Sequence, residues 1–521
     1  MRLPAARFVV ALAIAVAASG EPARAVDRSL GAGVPKPAVT GAPWTDAEIA
    51  ALDANLDLQL AGARTLRGAH AALYAIDARD GRVLYQRNAD DAFQPASTLK
   101  LLVGSAALER LGPEFRFRTI AFPGAPVSGG VVRGYLMLRG SGDVLLDDAA
   151  LAEIPAALKR AGITAVHGVS FDEPDGLPRY LPGWAWDDLP WYYAAPVTRL
   201  GLNDNQVTLH VSPGAAPGAP VAVTVTPWGD VCMLGARCTD ELGFRIVNAA
   251  TTGAAGSTST LDVTRRLDDG APDEVRLVGT LAAGAKPDDL SLAVPHPPRY
   301  AAFAARRALA AAGIGVLPDV IAEAAPRGAD AASAASAPPA VVWSHDSEPL
   351  RDLLADMWLP SDNLLAEELL RALGATAPAL QGTSDEGLAF ERAWLRGLGV
   401  DASAFALSDG SGLSAYDRIT PRALVTILEH DWNGPYRDLV LDDLPVAGVR
   451  GTLKSSFAGT PAERRVFAKT GTLSHVSTLA GYVANAKHGA VIFAFPVDDW
   501  AGESAALREL RARVFSELAE R

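Results

Sequence analysis

Ser97 and Lys100 stand three residues apart in the stretch Pro95-Ala96-Ser97-Thr98-Leu99-Lys100-Leu101-Leu102, at what reads as the start of a helix. Residues at i and i+3 share a helix face, so the amine can reach the hydroxyl. A serine that attacks a carbonyl needs a base, and a lysine serves if its surroundings lower its pKa. The N–H groups of a first helical turn also favour the negative charge that builds up during attack. The plainer reading is a serine N-cap with a surface lysine one turn on. Scarcity weighs against it: lysine occurs only at 36, 100, 159, 286, 454, 469 and 487, and only Lys100 follows a serine by three. The partners of this pair must come from elsewhere, so the fold has to bring distant segments onto one helix.

Two later stretches offer such partners. Leu359-Pro360-Ser361-Asp362-Asn363 holds the one Ser-x-Asn of the chain and precedes a helical run over 364–373. Ser361 reads either as a helix N-cap or as a proton relay, with Asn363 as a donor to a substrate amide. Further on, Val466-Phe467-Ala468-Lys469-Thr470-Gly471-Thr472 leads into apolar runs at 479–483 and 490–495, a succession of antiparallel strands. Gly471 would let a substrate backbone approach, and Lys469 with Thr470 would suit a carboxylate. The bland alternative is a strand ending in a Thr-Gly turn.

The remaining organisation is coarse. Asp80-Gly81 between apolar runs marks a hairpin before the Ser97 helix, which Gly112-Pro113 stops. Residues 115–140 read as short strands, 149–161 as a helix, and 195–285 as all-β, with Val207–Val211 and Val221–Val225 as strands. A helix from Arg299 precedes a low-complexity Ala/Ser/Pro stretch over 322–339. This pattern predicts one domain split in two, with about 200 residues inserted between its halves.

Ser-x-x-Lys, Ser-Asp-Asn and Lys-Thr-Gly in that order resemble the motif set of penicillin-binding proteins and serine β-lactamases. The long gap between the first two is similar to the penicillin-binding protein 4 type of D-alanyl-D-alanine carboxypeptidase/endopeptidase. So are Gly140-Ser141-Gly142-Asp143, Trp184-Ala185-Trp186-Asp187-Asp188, Gly201-Leu202-Asn203-Asp204-Asn205, Ser408-Asp409-Gly410-Ser411-Gly412-Leu413-Ser414 and Gly451-Thr452-Leu453. That resemblance implies Ser97 as acyl nucleophile, Lys100 as its base, Ser361 as relay, Asn363 holding the substrate amide and Lys469 supporting the relay. It also implies Thr470 at the substrate carboxylate and the Ser97 and Thr472 N–H groups as an oxyanion hole. Asp143 is expected to meet an amino group of a stem peptide. Val144 and Ala415 stand where the family often has Pro and Arg.

The expected fold is α/β (α+β): a transpeptidase-like domain, an antiparallel sheet with helices, split by a large, mostly β insert. The expected map is a signal peptide over 1–25, the first half of that domain over 26–120 and its second half over 341–521. Between them lie an insert domain over 121–195 and 286–340 and a nested β-rich domain over 196–285. Arg2, Arg7, the apolar run from Phe8 to Ala18 and Ala23-Arg24-Ala25 carry the signal-peptide reading, and with it a periplasmic, extracytoplasmic location. That run is too short to span a bilayer. A net charge of −13 excludes nucleic acid as an expected partner. Cys232 and Cys238, a close pair in an oxidising compartment, are expected to form a disulfide, and scattered histidines give no metal site. The expected activity is serine D,D-peptidase action on peptidoglycan stem peptides, with β-lactams as covalent inhibitors and no cofactor. A serine β-lactamase and a catalytically weak peptidoglycan-binding protein are the alternatives.

Overall fold

The computed structural model describes residues 34–174, 177–227, 242–266, 273–316, 340–376 and 381–521. The expected signal peptide, both cysteines and the low-complexity stretch lie outside these residues.

One seven-stranded antiparallel sheet is built from both ends of the chain. Its order is His70–Ala71, Val497–Asp498, Val476–Asn485, Gly489–Ala494, Leu73–Asp77 and Val83–Arg87, with Val466–Leu473 paired to Val476–Asn485. Alternation along these strands serves two cores. Leu73, Ala75, Val491 and Phe493 face the helices Asp46–Gly62 and Ser504–Glu520, meeting Leu52, Leu56, Leu510 and Phe515. Tyr74, Ile76, Ile492 and Tyr482 face the opposite way, onto the helical layer. Every residue of Val476–Asn485 is buried, which is why its 479–483 stretch reads as a continuous apolar run rather than as an alternation.

The helical layer centres on Lys100–Leu111, buried from Lys100 through Leu108. A helix apolar on all sides belongs in an interior, and here Leu350–Trp358, Asn363–Gly374 and Pro421–Asn433 surround it. Gly104 has no Cβ because the Trp358 ring occupies that space, while the Trp358 indole N–H donates to the Lys100 carbonyl at 2.9 Å. Gly112, at φ +80°, ends the helix where Gly112-Pro113 was read as a stop.

A second core gathers residues between Ala121 and Trp343. Its main sheet runs Gly315–Val316, Ala165–Phe171, Val131–Arg139, Arg118–Pro123, Trp343–Asp346. The two central strands are parallel, and the short helices Asp148–Leu151 and Ile154–Arg160 lie between them in the chain. Arg118–Pro123 enters this body and Trp343–Asp346 leaves it as an antiparallel pair. A further antiparallel sheet, Asp288–Ala293, Gln206–Ser212 and Ala222–Thr226, includes the strand pair read from 207–211 and 221–225. The mixed α/β fold with a large, mostly β insert is thus as expected.

Gly104→Ala drives a methyl into the Trp358 ring. Overpacking of this kind costs about 1–3 kcal/mol, so the thermal midpoint should fall while the far-ultraviolet circular dichroism spectrum stays the same.

Candidate active site

Ser97 sits in a 3₁₀ turn, Ala96–Leu99, that runs directly into the Lys100 helix. It caps nothing: the helix start has no side-chain cap. Ala96, at φ +44°, holds left-handed backbone immediately before the serine, a conformation that costs a non-glycine residue free energy and persists only where its surroundings impose it. They do so here. Gly412 and Gly471 pack their α-carbons against the Pro95–Ala96 backbone, where any Cβ would collide.

Lys100 is the hub. Its amine, without exposed surface, donates to Ser97 Oγ at 2.9 Å, Asn363 Oδ1 at 2.6 Å and the Ser411 carbonyl at 2.8 Å. Burial lowers its pKa to about 8, against the opposing pull of Asp409, Asp362 and Glu367. The second lysine, Lys469, is equally buried and donates to Ser361 Oγ at 2.8 Å and to the Thr470 carbonyl at 2.9 Å. Burial and the neighbouring charge of Lys100 hold it well below the ordinary lysine range. A substrate carboxylate would push it back towards its charged form.

Five of the predicted residues thus meet: Ser97, Lys100, Ser361, Asn363 and Lys469 form two hydroxyl–amine pairs, with Asn363 bound to the first. Ser361 is not the N-cap of the following helix. Asp362 takes that place, accepting from the Leu365 N–H at 2.8 Å, and Ser361 turns to Lys469 at φ +71°. Thr470 and Thr472 follow on the Lys469 strand, Thr472 exposed and Thr470 partly so. The Thr470 hydroxyl donates to Thr452 at 2.7 Å.

Two expectations change. A Cβ on Gly471 would meet the Thr478 hydroxyl and the Pro95 carbonyl, so this glycine seats the chain's own nucleophile turn rather than opening a path for a substrate backbone. Asp143 is 2% exposed, accepts from the Leu145 N–H at 3.2 Å and lies 3.8 Å from His345 Nε2. Burial pushes its carboxyl up to about 6. Enclosed in this way it presents no surface to a peptide amine, so it is a turn residue.

Other contributors were not assigned roles from the sequence. Asn363 Nδ2 donates to the Tyr193 carbonyl at 2.7 Å, which leaves its oxygen for Lys100. The 408–414 loop, whose Ser411 carbonyl holds Lys100, is fixed by two buried carboxylates. Glu367 accepts from the Gly410 and Ser411 N–H groups at 2.8–3.1 Å. Asp409 accepts from the Gly412 and Ser414 N–H groups at 2.7 Å and from the Trp184 indole at 2.9 Å. Burial, then Asp409, pushes Glu367 up to about 8 and Asp417 to about 11. The motif-like stretches at 184–188 and 408–414 were the available signal, but which side chains turn inward depends on contacts between segments more than 200 residues apart.

Two hydroxyls on the helical layer of a split α/β body, one bonded to a buried lysine amine of that layer and the other to a buried lysine amine of the facing sheet, define a class of serine acyl-transfer enzymes. Residues 52–519 match the model of the D-Ala-D-Ala carboxypeptidase 3 (S13) family, and the chain belongs to that family. It is 34% identical over 433 residues to the D-alanyl-D-alanine carboxypeptidase of Actinomadura sp. strain R39, covering 80% of this chain and 76% of the relative. With D-alanyl-D-alanine carboxypeptidase DacB of Haemophilus influenzae it shares 26% identity over 449 residues, 84% of this chain and 88% of the other. The crystal structure of penicillin-binding protein 4 (dacB) from H. influenzae superposes with a TM-score of 0.73 at 25% identity, covering 90% of this chain and 99% of that one. Among the described residues no helix is long and apolar enough to cross a membrane.

Asp409→Ala strands the Gly412, Ser414 and Trp184 donors. Unsatisfied buried donors cost about 1–3 kcal/mol each, so this variant should lose several degrees of thermal midpoint. Asp409→Asn, which keeps one acceptor oxygen, should lose less.

Proposed function

We propose that this protein is a serine-type D-Ala-D-Ala carboxypeptidase acting on peptidoglycan stem peptides, and a D,D-endopeptidase when the substrate is a cross-link. The observation that carries this reading is the Lys100 amine, buried and bonded at once to Ser97 Oγ and Asn363 Oδ1. A pKa near 8 makes it a base that is partly neutral under mild conditions while still able to take a proton.

In this reading Ser97 Oγ attacks the carbonyl of the D-Ala–D-Ala bond as its proton passes to Lys100. The oxyanion is met by the Ser97 and Thr472 N–H groups, donors each worth roughly 3–4 kcal/mol in related hydrolytic chemistry. As the C–N bond breaks, Ser361, coupled to Lys469, delivers a proton to the leaving amine, and D-Ala departs. Water then cleaves the Ser97 ester. Asn363 orients the substrate amide, and Thr470 with Lys469 receives the terminal carboxylate. β-Lactams acylate the same serine, and an H. influenzae penicillin-binding protein 4 structure is described as complexed with a β-lactam. The basic, apolar N-terminus supports export to the periplasm. The catalytic domain comprises the first and last segments of the chain, 26–120 and 341–521, with the insert between them.

Intact-mass measurement after incubation with benzylpenicillin tests this directly. The expected result is one persistent adduct per chain, absent in Ser97→Ala. A folded wild-type protein that neither gains mass nor consumes penicillin would sink the reading. The acylation rate should also climb about tenfold per pH unit on the acid side and level off above about pH 8, because the protonated fraction of Lys100 falls as pH rises. Lys100→Ala should lower it about 100- to 10,000-fold.

A further inference from the structure

The Gly201-Leu202-Asn203-Asp204-Asn205 stretch has no role in the chemistry above, yet it is the most strained backbone of the insert. Asn203, Asp204 and Asn205 hold φ of +50°, +57° and +52° in succession. Asn and Asp tolerate the left-handed region singly, and three in a row is costly. The turn is held from all sides. The Asn203 and Asp204 N–H groups donate to the Leu146 and Val144 carbonyls at 2.8 Å. Asn203 Nδ2 reaches Asp148 at 2.8 Å, and Asn205 Nδ2 reaches the Pro196 carbonyl at 3.1 Å. Strain enforced in this way points to a side chain that must be placed.

That side chain is Asp204. It projects to the start of the Asn363 helix and lies within hydrogen-bonding reach of Asp362, the middle residue of the Ser361-Asp362-Asn363 turn. Two carboxyls that hydrogen-bond to each other share a proton. Asp362 is the ionised member, since it accepts backbone N–H groups at a helix N-terminus and faces Lys100. Asp204 has only the Gln206 amide, at 3.1 Å, on one oxygen, while its buried Oδ1 meets no donor. An acid that donates from Oδ1 satisfies both groups.

We propose that Asp204, supplied by the insert, is a positioning residue for the acyl-transfer site: its protonated carboxyl donates to the Asp362 carboxylate and so fixes Ser361 against Lys469 and Asn363 against Lys100. The inference rests on the acyl-serine reading above. Burial and the Asp362 charge hold Asp204 well above the usual carboxylate range, which favours its protonated form. The other titratable groups facing the pair are Lys100 from the nucleophile helix and Tyr192 from the turn beside Asn363. Asp409 and Glu367 act on Lys100 from behind.

The test is the rate constant for acylation by benzylpenicillin in wild type, Asp204→Asn and Asp204→Ala. Asn keeps a donor to Asp362 and should acylate within about threefold of wild type at neutral pH. Ala should lose on the order of tenfold to a hundredfold, as for a small misplacement of catalytic groups. A wild-type rate in Asp204→Ala, or a loss in Asp204→Asn as large as that in Asp204→Ala, overturns the proposal. If Asp204→Ala does not fold, the Asp204→Asn rate decides, acylation within about threefold of wild type supporting the proposal and a loss of about tenfold or more overturning it. A wild-type protein that forms no adduct fails the acyl-serine reading itself, and this proposal with it.

Discussion

The structure depends on keeping two lysine amines out of water within one cleft. Stripping an ammonium of its solvent costs several kcal/mol unless the group is neutralised or surrounded by acceptors. Here Lys100 and Lys469 have both remedies in part. Each finds a serine hydroxyl and a backbone carbonyl, and each is driven towards its neutral form. The elements that make contact do so to provide those acceptors. The 408–414 loop brings the Ser411 carbonyl, the Asn363 helix brings an amide oxygen, and the sheet edge brings the Thr470 carbonyl.

Charge is balanced one layer further out. Glu367, Asp409 and Asp362 all draw Lys100 back towards its charged form, so the amine settles where a proton can be taken up and returned. Glu367 and Asp409 also hold the 408–414 loop by its N–H groups. Electrostatic tuning and mechanical support are therefore one set of contacts, and neither can be altered without the other.

Much of this was legible in the residues, and the limits follow from physics. Local signals worked where local interactions decide: the Asp80-Gly81 hairpin, the Gly112-Pro113 stop, and the strands around Lys469. The pairing of Ser97 with Lys100 followed from helical spacing. Ser361 was harder, because N-cap preference ranks Ser and Asp alike and only the Lys469 contact decides between Ser361 and Asp362. Gly471 and Asp143 were read as facing a ligand, but what lies opposite each is another segment of this chain, and sequence proximity carries no information about that. Burial of Glu367, Asp409 and Asp417 was equally hidden, since acidic residues are ordinarily surface residues.

The central sheet takes two strands from residues 73–87 and its remaining long strands from 466–494. About 380 residues separate Val83–Arg87 from the Lys469 strand. At ribosomal speeds of roughly 5–20 residues per second, the first half waits some tens of seconds for its partner. A chain interrupted anywhere before the final strands holds the nucleophile but not the sheet that sets it or the second amine. Acyl-transfer chemistry therefore becomes available only to a finished molecule.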